Sequence, residues 1–488
     1  MNVKSFNEIV RGRYGRKTAY VNYDYVDSNN VVDILGKTIG IFNSNKVAIK
    51  YLWDYKKGDQ PALYRTKGGS RDDVIIPVVE NHAWEIVRFK NAQTYGEPVQ
   101  FVSLSDNSAV NESVNKLNRV FQLAEKELKD INSGEWTSAV GTGYKAIQGK
   151  DGEIPFRLVT PTPMNTYVVY SRYTEEPLLA VQELRDDEDH FYYLCFSDTH
   201  EYRIQNGALQ PYEGETVYSR LHAWGGIPII EYPNNQDRIS DIELVISMLD
   251  AINNMQCDRA EAIEQFVSSW VKFVNCDIDE DTFKKMKMMG ALVVKSNNGS
   301  ENKADVDVMT QELSQTESQV AKDDLWDNVL AIESMPSIEM TSSSGDTQGA
   351  VSLRSGWDHS KQAAKIKDSY IKTGDKRLAL LVLNRMRIFG DDLKLSAMDF
   401  EVRISHSPLD NLMTKVEALK MLLEAGINPL IAIRTCGIFN DPENTYLLSQ
   451  EYLDKMIYKE VDNADEQIQK AEKIVNEEMG RTESARED

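Results

Sequence analysis

The stretch "GTGYKA", Gly141 to Ala146, has the G-x-G-x-x-A spacing of a phosphate-cradling turn. Such a turn holds a dinucleotide only when it follows a strand and opens a helix. Here it follows the helical "AEKELKDINSGEWTSAV" and precedes the strand-like "YKAIQ", so a structural turn is expected. In "DIDEDTFKKMKM", Asp277, Asp279 and Asp281 are spaced like the first ligands of a calcium loop. The sixth position is Thr282 where a sharp turn needs Gly, and the twelfth is Met288 where a bidentate Glu is needed. A solvated helix start is the expectation. His82, His190, His200, His222, His359 and His406 fall at no ligand spacing, and they read as surface or packing residues. No G-x-x-x-x-G-K, H-E-x-x-H or G-x-S-x-G occurs. Spacing alone cannot single out a general acid and base among 77 carboxylates. No catalytic residue, metal or cofactor is assigned, and an α/β enzyme with an unrecognised acidic site stays open.

One charge pattern stands out. The chain carries 55 Lys plus Arg against 77 Asp plus Glu, a net charge of −22. That balance disfavours a nucleic-acid binder acting through its whole surface, since such binding rests on cations that neutralise phosphates. Between Pro336 and Gly390, however, nine basic residues face five acidic ones. Arg354, Lys361, Lys365, Lys372 and Lys376 fall within roughly 60° on a helical projection. Leu353, Trp357, Ala364, Ile371, Leu378 and Leu381 form an apolar set elsewhere on the same helix. The stripe is either an ordinary solvated face or one turned toward a polyanion.

The elements that must carry these residues are legible in outline. At 488 residues, with 41% apolar residues, the chain can bury sizeable cores. Cys195, Cys257, Cys276 and Cys436 are scattered without a C-x-x-C pair, as in reduced intracellular proteins. No secretory leader and no membrane-spanning run is evident, so a soluble, cytoplasmically made chain is expected. Helical patterns dominate from Ile41 to about Lys145. Short aromatic and β-branched segments follow, from "YKAIQG" to "EYRIQNGALQ", with a turn at Asn206-Gly207, as in an antiparallel meander. "HFYYLCFS" is apolar on both faces and predicts a sheet covered on both sides.

A long helix is predicted from Ile239 to Phe266, capped by Ser240 with Glu243 three residues on, and stapled by Ile239 and Leu244. At 1.5 Å per residue it would be about 40 Å long. A small α/β unit follows, and a second helix over "QELSQTESQVAKDDLWDNVLAIES" returns. Then come a polar, flexible loop "SSSGDTQG" and a helical run from about Ala350 to Phe389, interrupted near Gly374. The strand-like "FEVRISH" leads to short helices started by Asn428-Pro429 and Asp441-Pro442 and stopped by Gly426 and Gly437. The charged tail "NEEMGRTESARED" is expected to be loose.

The pieces and their order resemble the portal proteins of tailed bacteriophages, in the group found in long-tailed phages of Gram-positive hosts. The resemblance runs from about Gly36 to Tyr452. It rests on "YLWDYKKGDQPALYR", "NHAWEIVRFKNAQTYGEPVQF", "SAVGTGYKAI", "IPIIEYPNNQDRISDIELVISMLDAINNMQCDRAEAIEQF" and "SHSPLDNLMTKVEALKMLLEAGINPLIAIRTCGIFNDPENTYLLSQEYL". It implies an α+β, mainly helical portal fold with wing, two-helix stem, small α/β clip and C-terminal helical crown. Residues 1–238 would form an N-terminal arm and wing, 239–268 and 311–334 the stem helices, and 269–310 the clip. Residues 335–407 would hold a tunnel loop, a long kinked helix and a return strand, 408–476 the crown, and 477–488 a flexible acidic tail. The implied function is a homo-oligomeric ring, typically of twelve subunits, at one capsid vertex of the virion. Double-stranded DNA would pass through it without sequence specificity. Terminase large subunit, head–tail adaptor, major capsid and scaffolding proteins would be its partners. Ser342, Ser343, Ser344, Gly345 and Asp346 would face DNA, and Lys284, Lys285 and Lys287 would be clip contacts. Another capsid structural protein is the remaining alternative. The first 35 residues and the tail carry no resemblance.

Overall fold

Positive φ at both Asn206 (51°) and Gly207 (73°) closes the hairpin that the Asn-Gly pair predicts. The computed structural model describes residues 6–10, 14–65, 75–105, 107–212, 216–267, 270–274, 284, 305–309, 315–337, 356–391, 393–406, 412–439, 442, 444–450 and 452. In chain order the elements are α1 (Phe6–Val10), β1 (Ala19–Val21), α2 (Val31–Lys56), α3 (His82–Tyr95), β2 (Gln100–Ser103), α4 (Ser108–Leu123) and α5 (Lys126–Val140). Nine strands follow: β3 (Thr142–Gly149), β4 (Phe156–Val159), β5 (Thr166–Ser171), β6 (Pro177–Arg185), β7 (Phe191–Phe196), β8 (His200–Gln205), β9 (Ala208–Gln210), β10 (Arg220–Leu221) and β11 (Ile229–Pro233). The remainder is α6 (Ile246–Val267), β12 (Trp270–Val274), β13 (Asp305–Met309), α7 (Gln315–Ile332), α8 (Trp357–Ile388), β14 (Phe400–Arg403), α9 (Leu412–Glu424) and α10 (Pro429–Cys436). No helix among the described residues is long and apolar enough to cross a membrane.

The meander is β5 to β9, each strand antiparallel to the next, with β1 added in parallel to β5. The segments "YKAIQG" and "FRLV" are not part of it. They form a second sheet, β11-β3-β4, closed by "IIEYP", which pairs only through the distant register Ile229 to Ala146. The large sheet is covered on both sides at β5 and β6, by α2 on one face and the small sheet on the other. At β7 the expectation of two covered faces fails. Cys195 is the one fully buried side chain of that strand, and Phe191 and Tyr192 instead carry the guanidinium groups of Arg185 and Arg203.

The long helix α8 runs unbroken through Gly374, which corrects the expected interruption. The glycine is there for packing. A Cβ at this position would lie 2.5 Å from the Tyr232 ring. Ile371, Leu378, Leu381 and Met386 bury one face of α8 against α4, β2, β14 and the small sheet. Lys365, Lys372 and Lys376 are exposed on the opposite side. The return strand β14 pairs antiparallel with β2. Near the C-terminus the caps are as read: the Asn428 side chain accepts from Leu430 N–H at 2.9 Å, and Gly426 and Gly437 have φ of +76° and +59°. Asp441 lies outside the described residues.

Four opposite charges are sealed between α5, β3 and α8. Lys126 Nζ donates to Asp130 Oδ2 at 2.5 Å and to Asp375 Oδ2 at 2.6 Å. Lys145 donates to Asp130 and, at 2.8 Å, to Asp375 Oδ1, which also accepts from the Tyr232 hydroxyl at 2.8 Å. All four charged side chains are at most 4% exposed. Burial alone would raise the Asp375 pKa, but the two ammonium groups outweigh it and hold the carboxyl far below the usual range. Asp375→Ala strands two buried cations on one carboxylate and is expected to cost about 3–5 kcal/mol. Chemical denaturation of the unassembled chain measures this, and a loss below about 1 kcal/mol, as for an exposed pair, would contradict it.

Candidate functional site

The pair α6 and α7 leaves the body and comes back to it, with β12 and β13 paired antiparallel at the turn-around. Each helix carries four acidic residues against one basic. These are Asp250, Asp258, Glu261 and Glu264 against Arg259, and Glu317, Asp323, Asp324 and Asp327 against Lys322. Arg259 Nη1 bridges the pair by donating to Gln319 Oε1 at 2.8 Å. Lys322 donates to Glu80 at 2.9 Å, and Trp326 stacks on His82 at 4.0 Å, which ties α7 to the start of α3.

The root of the pair is built from side chains that the capping pattern alone does not place. Glu243 Oε2 does accept from Ser240 N–H at 3.1 Å, but Ser240 Oγ caps Ile242 N–H and not Glu243 N–H. Glu243 is also held by the buried Arg16 guanidinium and by Gly15 N–H at 2.8 Å. Asp241 N–H donates to Ser138 O at 3.0 Å, which draws the chain onto the end of α5. Residues 241–245 are therefore turns, and the regular helix starts at Ile246 instead of Ile239. Leu244 is 48% exposed and forms no staple. One step earlier, Arg238 grips Glu231 with two hydrogen bonds of 2.6 and 2.9 Å, and Tyr170 and Thr142 donate to the same carboxylate.

Where α7 returns to the body, Glu333 closes a second charged group with Lys90, Asp241 and Lys367. Lys90 lies 3.4 Å from Glu333 Oε2, and Lys367 lies 3.2 Å from Asp241 Oδ2. This group joins both ends of the helix pair to α3 and α8. Burial, aided by the Asp241 carboxylate and only partly offset by Lys90, pushes Glu333 up to about 7. Burial alone also raises Asp250 to about 6, although the Tyr55 hydroxyl donates to it at 2.8 Å.

The sequence-derived sites scatter over this frame. "GTGYKA" is a helix stop and a strand start. Gly141 has φ +89°, Gly143 sits against Ser133 and Thr137, and Lys145 belongs to the sealed charge cluster. No phosphate cradle forms there. His406 is buried between Asp368 and the Gln93 carbonyl, and His82 pairs with Glu80 and Glu85. Among the described residues no group of three side chains could hold a metal ion. Lys361 is half-buried, while Lys365, Lys372 and Lys376 project from one exposed side of α8. Lys284 is helical and exposed. Arg354, Ser342, Ser343, Ser344, Gly345, Asp346, Lys285, Lys287, Asp277, Asp279, Asp281 and Cys276 lie outside the described residues.

Residues 19–478 match the family model described as "Phage portal protein, SPP1 Gp6-like". The chain belongs to the phage portal protein family. The match begins 17 residues before Gly36 and extends past Tyr452, so it takes in β1 and most of the C-terminal region that the sequence resemblance left out. Members of this family are structural capsid components and not enzymes. The portal protein of Bacillus phage SPP1 is 22% identical over 262 residues, covering 49% of this chain and 48% of that protein. The chain thus spans about half the length of the curated relative it matches. Among solved structures, a chain from the neck of a native gene transfer agent particle, computed with C12 symmetry, aligns with a TM-score of 0.43 and 11% identity, covering 73% of this chain and 89% of that one. A chain from the virion of a native gene transfer agent particle gives 0.43 and 9%, covering 80% and 93%.

Glu333 generates a pH test. Its folded pKa lies above the unfolded 4.5, so its ionisation opposes folding once the pH exceeds that value, and fully so above about 7. Glu333→Gln is expected to stabilise the fold at pH 8 by on the order of 3 kcal/mol, seen as a higher unfolding midpoint, with the gain vanishing toward pH 4.5. An equal gain at both pH values in a melting series would contradict this origin.

Proposed function

We propose that this portal-family chain assembles into a closed ring at one capsid vertex, twelve copies being the number the resemblance implies. Double-stranded DNA passes through its channel during packaging and ejection. The observation that carries this reading is the family match over residues 19–478, together with the out-and-back helix pair on a sheet-containing body. In this reading α6 and α7 are stem helices and the segment from 269 to 310 is the clip, where Lys284, Lys285 and Lys287 meet an adaptor. Residues 342–346 form the loop nearest DNA, and residues from about 408 form the crown. Terminase large subunit docks on the ring from outside, and capsid and scaffolding proteins surround it. The ring resides in the virion.

The composition of the stem supports passage over grip. With four acidic residues to one basic in each helix, a barrel of such pairs presents few cations for phosphate contacts. The cations of α8 are the exception, and we assign Lys361 and Lys365 to the channel side. Electron microscopy of the purified chain should show closed rings with a central hole. Extended lattices would point to another capsid component, and nucleotide binding by a monomer would favour an enzyme. Lys361→Glu combined with Lys365→Glu should lower DNA retention severalfold in packaging assays while rings persist. Loss of the rings would instead place the two lysines at a subunit contact.

A further inference from the structure

Three of the seven tryptophans lie on α2, α3 and α5, helices that are hydrogen-bonded or ion-paired to one another. Trp53 of α2 and Trp136 of α5 stack face to face, with ring centroids 3.5 Å apart and an interplanar angle of 11°. Lys57 is exposed and holds its ammonium 5.2 Å from the Trp53 ring. Trp84 of α3 is 46% exposed, and the Arg88 guanidinium lies 5.0 Å from its ring centroid. Ile131 on α5 is also exposed. Asn81 Nδ2 donates to Lys56 O at 2.9 Å, Lys56 pairs with Glu135, and Asn91 Nδ2 donates to Ile131 O at 3.0 Å.

Trp53 and Trp136 are half-buried and pack against the core, while Trp84 with Arg88 stands exposed beside them, and an exposed tryptophan with an arginine is the composition of a binding hot spot. Neither Lys57 nor Arg88 has a carboxylate partner among the described residues. The exposed cations Lys57 and Arg88 stand here on a chain in which 77 acidic residues outnumber 55 basic ones, so a second copy offers carboxylates in excess. A ring is closed by heterologous contacts, in which two different faces of the same chain must complement each other. We propose that this patch is one half of the contact between neighbouring copies, and that it receives an acidic stretch of the next copy. The proposal rests on the ring reading. Arg88, already stacked on Trp84, can take a carboxylate with both arms of its fork. The indole surface fits a folded partner better than duplex DNA, whose outer surface presents phosphates and keeps its bases stacked.

Zero-length carbodiimide cross-linking of rings assembled from mixed light and heavy-nitrogen copies tests this. The expected product joins Lys57 of one copy to an Asp or Glu of another, identified by its mixed isotope pattern. Trp84→Ala with Arg88→Glu should weaken association at least about tenfold with unchanged circular dichroism. The proposal is overturned if Lys57 links only within a copy while other lysines link between copies. It is equally overturned if duplex DNA or another capsid protein, and not a second copy, protects Lys57. Failure of the unmodified chain to form rings would remove the ring reading first, and this contact with it.

Discussion

Four charges that cannot be buried singly hold the body of this portal-family protein together. Lys126 and Asp130 come from α5, Lys145 from β3 and Asp375 from α8, and each cation touches both carboxylates. Removing any one leaves an uncompensated charge in a low-dielectric interior, so all four must arrive together. Their geometry fixes the rotation of α8 about its axis and the register of β3 against α5. Gly374 follows from the same constraint, since Tyr232 must pass close to α8 to reach Asp375. With α8 set this way, its apolar face meets the core and its cations face outward.

The helix pair is mounted on that body through two further charged groups. Arg16 and Glu243 with Arg238 and Glu231 hold its departing end, and Lys90, Lys367, Asp241 and Glu333 hold its return. Both ends are therefore anchored by groups whose partners sit on different elements. Such an attachment resists twisting better than a hydrophobic contact, which has no preferred direction.

Local chemistry was legible in the sequence, and long-range chemistry was not. Asn206-Gly207, Asn428-Pro429 and Gly437 act within a few residues, and each does what its type implies. The out-and-back helices and the exposed lysines of α8 were readable from periodicity. By contrast, Lys145 finds Asp375 across 230 positions, and Arg16 finds Glu243 across 227. No spacing rule reaches that far, so Lys145 looked like part of a turn and Ser240 like a helix start. The strand "IIEYP" was missed for the same reason, because its partner is β3. The tryptophan patch assembles from three helices, and only the clustering of Trp53, Trp84 and Trp136 within one third of the chain hinted at it.

Hydrogen exchange on the unassembled chain tests the central role of the buried charges most directly. If they lock α5, β3 and α8 into one frame before any assembly, the amides around Asp130, Lys145 and Asp375 should be the slowest in the molecule and open only with global unfolding. The helix Leu412–Glu424, whose described side chains are all at least partly exposed, should exchange far faster. Exchange around Asp375 as fast as in that helix would mean that the frame is not preformed, and would contradict the account.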